Sequence, residues 1–163
     1  MDAYLDIETT GLSPQYHQIT VVGISTGDGA NHRLTQLVGR DVTADNISEM
    51  MQGVQALYTY NGRRFDLPFL RLRLGIDLEQ SFYHRDLMYD CWSRSWYGGL
   101  KAVERRLGIR RNLPDMGGVD AVHLWHRYQA TDDLDALSLL LEYNKEDVIN
   151  LRALRAHLSR RHS

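Results

Sequence analysis

Only one cysteine, Cys91, occurs in the 163 residues, which excludes an intrachain disulfide and a cysteine-built zinc site and fits a reducing compartment. Prolines number three, and no repeat, low-complexity tract or linker interrupts the chain, so the expectation is one domain over residues 1–163. No apolar run approaches the ~18 residues of a membrane span. The strand pattern begins at residue 3 without a basic segment and apolar core of the secretory kind, and the cytosol is the expected location. Positive charge is not in excess either: 19 Lys and Arg stand against 21 Asp and Glu, a net charge of -2. Coating of nucleic acid by bulk charge is thereby excluded, and any polyanion has to be held locally. Hydrophobic residues at 43% and charged residues at 25% describe an ordinary globular chain, long enough to bury a core.

The first third reads as three strands, "AYLDI", "QITVVGIST" and "HRLTQLV", with Gly and Pro in the gaps. Short connections imply an antiparallel meander, and "GDG" at 27–29 reads as a hairpin turn. A helix is expected over about 43–52, capped by Thr43, then a strand at "ALYTYN", then a helix from "DLPFLRLRLG" that Gly75 stops. "FYHRDL" is a candidate fifth strand. Helical spacing follows in "GLKAVERRLGI", at 119–129, and over about 132–160, where a single break is allowed for. Three antiparallel strands, a crossover helix, two more strands and flanking helices make an α/β fold with a mixed sheet covered on both faces.

Three stretches carry acids in telling places. On a strand, Asp6 and Glu8 share a face while Ile7 points the other way. Two carboxylates so close repel, so one takes a proton or a cation neutralises both; an isolated D-x-E also reads as a solvated strand edge. Asp66 follows an apolar strand and opens a helix, where capping is an equally simple role. Tyr143 and Asp147 lie four apart on one helical face, which alone reads as a surface contact.

Taken in order, "DIE", "NGRRFD" at 61–66 and "YNKED" at 143–147 resemble the three motifs of the DEDD superfamily of 3′-5′ exonucleases, which has a ribonuclease-H-like fold: a mixed five-stranded sheet, three antiparallel strands then two parallel, flanked by helices. The Tyr four residues before the last Asp marks the tyrosine subclass; the histidine subclass has His five before it, and here that residue is Glu142. "TTGL" after the first acids and "GLKAVERRLGI" further resemble the YprB-like group, related to the proofreading domains of DNA polymerases. The resemblance implies that Asp6, Glu8, Asp66 and Asp147 bind two divalent ions, Mg²⁺ or Mn²⁺, an all-oxygen donor set that suits hard cations. It further implies that Asp6 bridges the ions, Glu8 and Asp147 serve the nucleophile side, Asp66 holds the second ion partly through water, and Tyr143 orients the attacking water. Thr9, Thr10, Gly11 and Leu12 would receive the terminal nucleotide, with Leu12 as a wedge; a plain turn is the competing reading. Asn61 would contact substrate, or serve only the turn.

The partner so implied is the 3′ end of DNA or RNA, single-stranded or frayed, with no membrane and with protein partners unread. An endonuclease on the same fold and a silent nucleic-acid binding module are the alternatives. Between Gly62 and Arg111 lie 11 Lys and Arg against six acids, an excess that suits phosphates or a set of solvated helix faces. Trp92, Trp96 and Tyr97 beside them suit stacking on unpaired bases, although core packing claims at least one Trp. His123 and His126, three apart, lack the companions of a metal site, and Cys91 lacks a catalytic partner.

Overall fold

The computed structural model describes residues 1–160; residues 161–163, the end of the expected domain, lie outside the described residues. β1 (Asp2–Thr9) pairs antiparallel with β2 (Ile19–Asp28), which pairs antiparallel with β3 (Asn31–Val38). The β2–β3 hairpin closes over Gly29 and Ala30, and Gly29 takes the φ of 55° that such a tight turn demands. After α1 (Ala44–Met50), whose first turn is capped by Thr43 accepting from the Asn46 N–H at 3.1 Å, β4 (Ala56–Thr59) runs parallel to β1. α2 (Asp66–Leu74) stops at Gly75, φ 69°. A single helical turn, α3 (Leu78–Ser81), leads into β5 (Tyr83–Asp86), parallel to β4. The five-stranded sheet has the order β3-β2-β1-β4-β5, the mixed arrangement expected.

Four more helices follow among the described residues: α4 (Leu87–Ser93), α5 (Gly99–Leu107), α6 (Gly118–Thr131) and α7 (Leu134–Ser159). α7 runs 26 residues without the break allowed for, because no Gly or Pro interrupts it and its buried positions recur through Leu140, Tyr143, Asn144, Val148, Leu151 and Leu154. α4 starts directly at the end of β5, with Asp86 as its cap. Asp86 ends the strand and caps the helix at once, so no turn residue marks the boundary between them.

Alternation along β1 sorts its residues into two layers. Ala3, Leu5 and Ile7 enter the core made with α1 and α2, where Ile47, Met51, Phe69 and Leu70 are buried. Tyr4 points to the opposite layer with Leu87, Cys91, Val103, Val148 and Leu151 of α4, α5 and α7, and that is the side on which Asp6 and Glu8 stand. A third cluster joins Val21 to α6 and α7 through Leu124, Trp125, Leu140 and Tyr143. Cys91 is wholly buried and its thiol is pushed up to about 11 by burial, which suits packing and not nucleophilic chemistry.

Gly23 sits opposite Asp6 in the β1–β2 pairing. A Cβ there would strike the Asn144 side chain and Val148, so the missing side chain is what lets α7 lie close over the strand pair. Gly23→Ala should therefore cost about 1–3 kcal/mol of stability as α7 is forced outward. A denaturant titration measures the loss, and a neutral result would mean the helix has slack that the packing does not show.

Candidate active site

β1 and α7 meet at the acids. One carboxylate oxygen from each of Asp6, Glu8 and Asp147 lies within 4.8 Å of the others. The chain holds them there with hydrogen bonds that the sequence reading did not anticipate. Asn144, wholly buried, donates from Nδ2 to the Asp6 backbone oxygen at 3.1 Å and to Asp6 Oδ2 at 3.2 Å. Its own Oδ1 accepts from Gln36 Nε2 on β3 at 3.0 Å. The amide thus ties α7 to the middle and the edge of the sheet and fixes one Asp6 oxygen. Its signal in the sequence was a polar residue on the buried stripe of an amphipathic helix, between Leu140 and Val148.

Asp66 is outside that close trio. It is buried, and Oδ2 accepts from the Ile7 N–H at 3.1 Å, so α2 is pinned to β1 between the two strand acids. The cap position of α2 is Phe65 and not Asp66. Asp86, buried at the end of β5, shapes the approach to Asp66 by accepting from the backbone N–H groups of Asn61, Arg63 and Met88 at 2.8, 3.1 and 3.1 Å. Asn61 takes φ 59° in that loop, and its side-chain oxygen is buried without a partner.

Electrostatics follow from the crowding. Burial raises Asp6 well above the usual carboxylate range, and the charges of Asp147, Glu8 and Asp66 raise it further. Glu8 is raised by burial and then by Asp147. Burial lifts Asp66 to about 7 despite the Ile7 N–H. Asp147 is raised by burial against the opposing pull of Arg111. Without a cation this site prefers to hold protons. Glu8 Oε1 is buried with no hydrogen-bond partner, an orphaned acceptor beside two further carboxylates, and this is the arrangement that a hard divalent cation satisfies.

Tyr143 is buried one helical turn before Asp147, and burial followed by the charges of Asp147, Glu8 and Asp6 raises its phenol far beyond any physiological pH. It is a neutral phenol here. The Lys101 ammonium lies 4.9 Å from the ring centroid and also donates to the Met116 backbone oxygen. Asp6, Tyr143, Asp147, Lys101 and Arg111 line one cleft of about 320 Å³ together with Gly98, Gly99 and Leu100. A larger hollow of about 530 Å³ along α6 contains none of the acids.

Arg111, unlike the exposed Arg63 and Arg64 of the same basic stretch, is neither a phosphate contact nor part of a solvated face. Its side chain is 5% exposed. Nε and Nη2 grip Glu104 at 2.6 and 2.8 Å, Nη2 also donates to Asp147 Oδ1, and Nη1 lies 3.8 Å from Glu146 Oε2. Glu104 in turn accepts from Asn150 at 3.1 Å, and Glu146 accepts from the Asn112 N–H at 2.6 Å. An acid at Glu104, on the face shared by Leu100, Val103 and Leu107, was the sequence sign of a buried ion pair. The position of its partner in a loop was not readable.

The loop after β1 is self-bonded. Thr9 donates to the Gly11 oxygen at 2.6 Å, and Thr10 accepts from the Gln18 N–H at 3.0 Å, so both hydroxyls serve the turn. The His17 ring lies where a Gly11 Cβ would be. Leu12 projects from this turn with 84% of its surface exposed. His123 and His126 are exposed on α6, away from the acids' cluster.

Comparison with known proteins adds the following. The family profile of the RNase_H superfamily matches residues 3–159. The chain is 28% identical to the uncharacterized protein MJ0365 of Methanocaldococcus jannaschii, covering 90% of this chain and 88% of that one. It is 30% identical to YprB of Bacillus subtilis over 66% of this chain, and the match spans only 28% of YprB. Among solved structures, the family B DNA polymerase of Pyrobaculum calidifontis superposes with a TM-score of 0.73 at 19% identity, over 96% of this chain and 24% of the polymerase. Brucella melitensis NrnC bound to pGG gives a TM-score of 0.67 at 24% identity, over 96% of this chain and 71% of NrnC, which has also been solved with bound Mg²⁺, and a structure described as the apo form of a nuclease gives 0.66 at 24% identity, over 97% of this chain and 71% of that one. These likenesses show the fold.

Proposed function

The chain belongs to the RNase_H superfamily as a YprB-like ribonuclease-H-like domain, and from that premise we propose that it is a metal-dependent 3′-5′ exonuclease acting on single-stranded or frayed nucleic acid, one catalytic unit over residues 1–163. The observation that carries this reading is the trio Asp6, Glu8 and Asp147 within 4.8 Å, with Glu8 Oε1 buried and unpartnered. Asp6, Glu8 and Asp147 would hold one divalent ion, and Asp6 with Asp66 a second. Such ions, Mg²⁺ or Mn²⁺, supply Lewis-acid polarisation of the phosphodiester and a more acidic bound water.

The side chains divide the remaining work. Tyr143 keeps its proton, so it orients the attacking water as a donor or acceptor and does not act as the base. Asn144 fixes the orientation of Asp6, and Arg111 that of Asp147. Leu12, exposed at the tip of its turn, would part the terminal base from its neighbour, and the Asn61 oxygen, buried without a partner, would reach a substrate donor only after its loop shifts. Backbone groups of the Thr9–Leu12 turn, whose hydroxyls are already engaged, complete the pocket for the last nucleotide.

End-labelled DNA and RNA strands incubated with Mg²⁺ or Mn²⁺ test the proposal. A ladder that shortens from the 3′ end with the wild type and not with Asp6→Ala supports it; cleavage of a circular strand, or equal cleavage by the variant, rejects it. Tyr143→Phe should lower turnover about 10- to 100-fold by loosening the water's position. Calorimetric titration with Mn²⁺ should find its metal affinity near that of the wild type, because the lost hydroxyl is not one of the carboxylate donors.

A further inference from the structure

The cleft accounts for the terminal phosphodiester and leaves unused the aromatic, arginine-rich surface beside it. The structure sorts those residues. Trp96 is 9% exposed and belongs to the core. Tyr89 and Trp92, on α4, stand edge to face with ring centroids 5.3 Å apart and keep part of their surface open. Two exposed guanidinium groups from the loop before α2 lie over them: Arg64 at 5.3 Å from the Trp92 centroid and 6.0 Å from that of Tyr89, and Arg63 at 5.9 Å from Tyr89. Arg63 also bonds Glu79 at 3.1 Å. Arg64 has no ion-pair partner among the described residues.

Position links this surface to the cleft. Arg64 precedes Asp66 by two residues, which keeps their Cα atoms within about 7 Å along the chain. Tyr97, 63% exposed, directly precedes Gly98 in the cleft wall. We propose that Arg63, Arg64, Tyr89, Trp92 and Tyr97 form a stacking platform for the unpaired bases upstream of the terminal nucleotide, which makes the preferred substrate a single strand several nucleotides long. This rests on the exonuclease reading and adds to it an upstream base-binding surface and a preference for strand length. Guanidinium planes and aromatic faces accept bases of any sequence, and the uncompensated charge of Arg64 answers a phosphate. Bases inside a duplex have no free face to offer, so the platform discriminates by strand state.

The test measures binding apart from cleavage. Fluorescein-labelled single strands of about twelve nucleotides, as DNA and as RNA, and a blunt duplex of the same sequence are titrated with the protein in EDTA and read by anisotropy. Wild type should favour the single strands and quench Trp fluorescence on binding. Arg64→Ala should weaken single-strand affinity about tenfold, and Trp92→Phe should remove most of the quench. With Mg²⁺ present, the ratio of kcat/KM for the long strand to that for a dinucleotide should fall about tenfold in Arg64→Ala. Unchanged affinity in Arg64→Ala, a quench retained in Trp92→Phe, tighter binding of the duplex, or an equal fall on both substrate lengths overturns the platform. Strand binding as described without any shortening of strands by the wild type would reject the exonuclease and uphold the platform.

Discussion

Asp6→Asn will lower metal-dependent nuclease turnover by about three orders of magnitude or more and at the same time raise the melting temperature of the metal-free protein. The first effect follows from the proposed role of Asp6 as a ligand, since the ions it would hold would be worth several kcal/mol in the transition state, each 1.4 kcal/mol being about tenfold in rate. The second follows from the crowding: burial and the charges of Asp147, Glu8 and Asp66 all raise Asp6, so the ionised carboxylate opposes folding. Asn keeps the shape and the contact with Asn144 and carries no charge. A gain of about 1–2 kcal/mol, or roughly 2–6 °C, is expected in EDTA at pH 7.5.

The sign of the pH dependence is fixed by the same groups. A carboxyl raised in the folded state contributes stability that is complete below its ordinary pKa and is lost as pH rises through the folded value. For Asp66 that window runs from 3.8 to about 7, and Asp6 and Glu8 shift in the same direction. The difference in stability between Asp6→Asn and wild type in EDTA should therefore grow from pH 4 upward and be reversed by Mn²⁺ at pH 7.5. Thermal melts across pH, with and without metal, measure it. An equal or lower melting temperature for Asp6→Asn at pH 7.5 in EDTA would mean the acids are already neutralised by something other than a bound ion.

Arg111→Met is expected to cost about 3–5 kcal/mol of stability, because it leaves the buried Glu104 and Glu146 and the half-buried Asp147 without their shared cation. The loss is mostly the penalty of the abandoned acid and not the net worth of the pair. Adding Glu104→Gln, which preserves the acceptor for Asn150, should return most of the stability. It should not return activity, since Asp147 would still lack the guanidinium that orients it. Chemical denaturation and turnover of the two single variants and the double one separate these effects. Recovery of both properties in the double variant would show that Arg111 serves only the fold.

Much of this molecule could be read in advance because its signals are local. Strand alternation gave β1 to β3, Thr43 and Gly75 bounded their helices, and the face shared by Asp6 and Glu8 followed from the period of a strand. The nearness of Asp147 to them was implied by the family resemblance, and the 4.8 Å trio agrees with it. What escaped was set by long-range pairing. Arg111 and Asp147 are 36 residues apart, Asn144 and Asp6 138, and no periodicity announces which loop arginine enters the core. Nothing local marks where α4 begins, because Asp86 ends β5 and caps the helix with no turn residue between them.

The placement of Asp6 and Glu8 on a central strand has a further consequence for how the chain finds its fold. A slip of β1 by one position against β2 would turn both acids into the apolar layer held by Ile47, Phe69 and Leu70 and put Leu5 and Ile7 into the cleft. Such a misaligned sheet would bury two charges with no ion to meet them. The acids thus act as an alignment key for the nascent meander, so replacing them with neutral side chains should also loosen the choice between correct and shifted pairings during refolding.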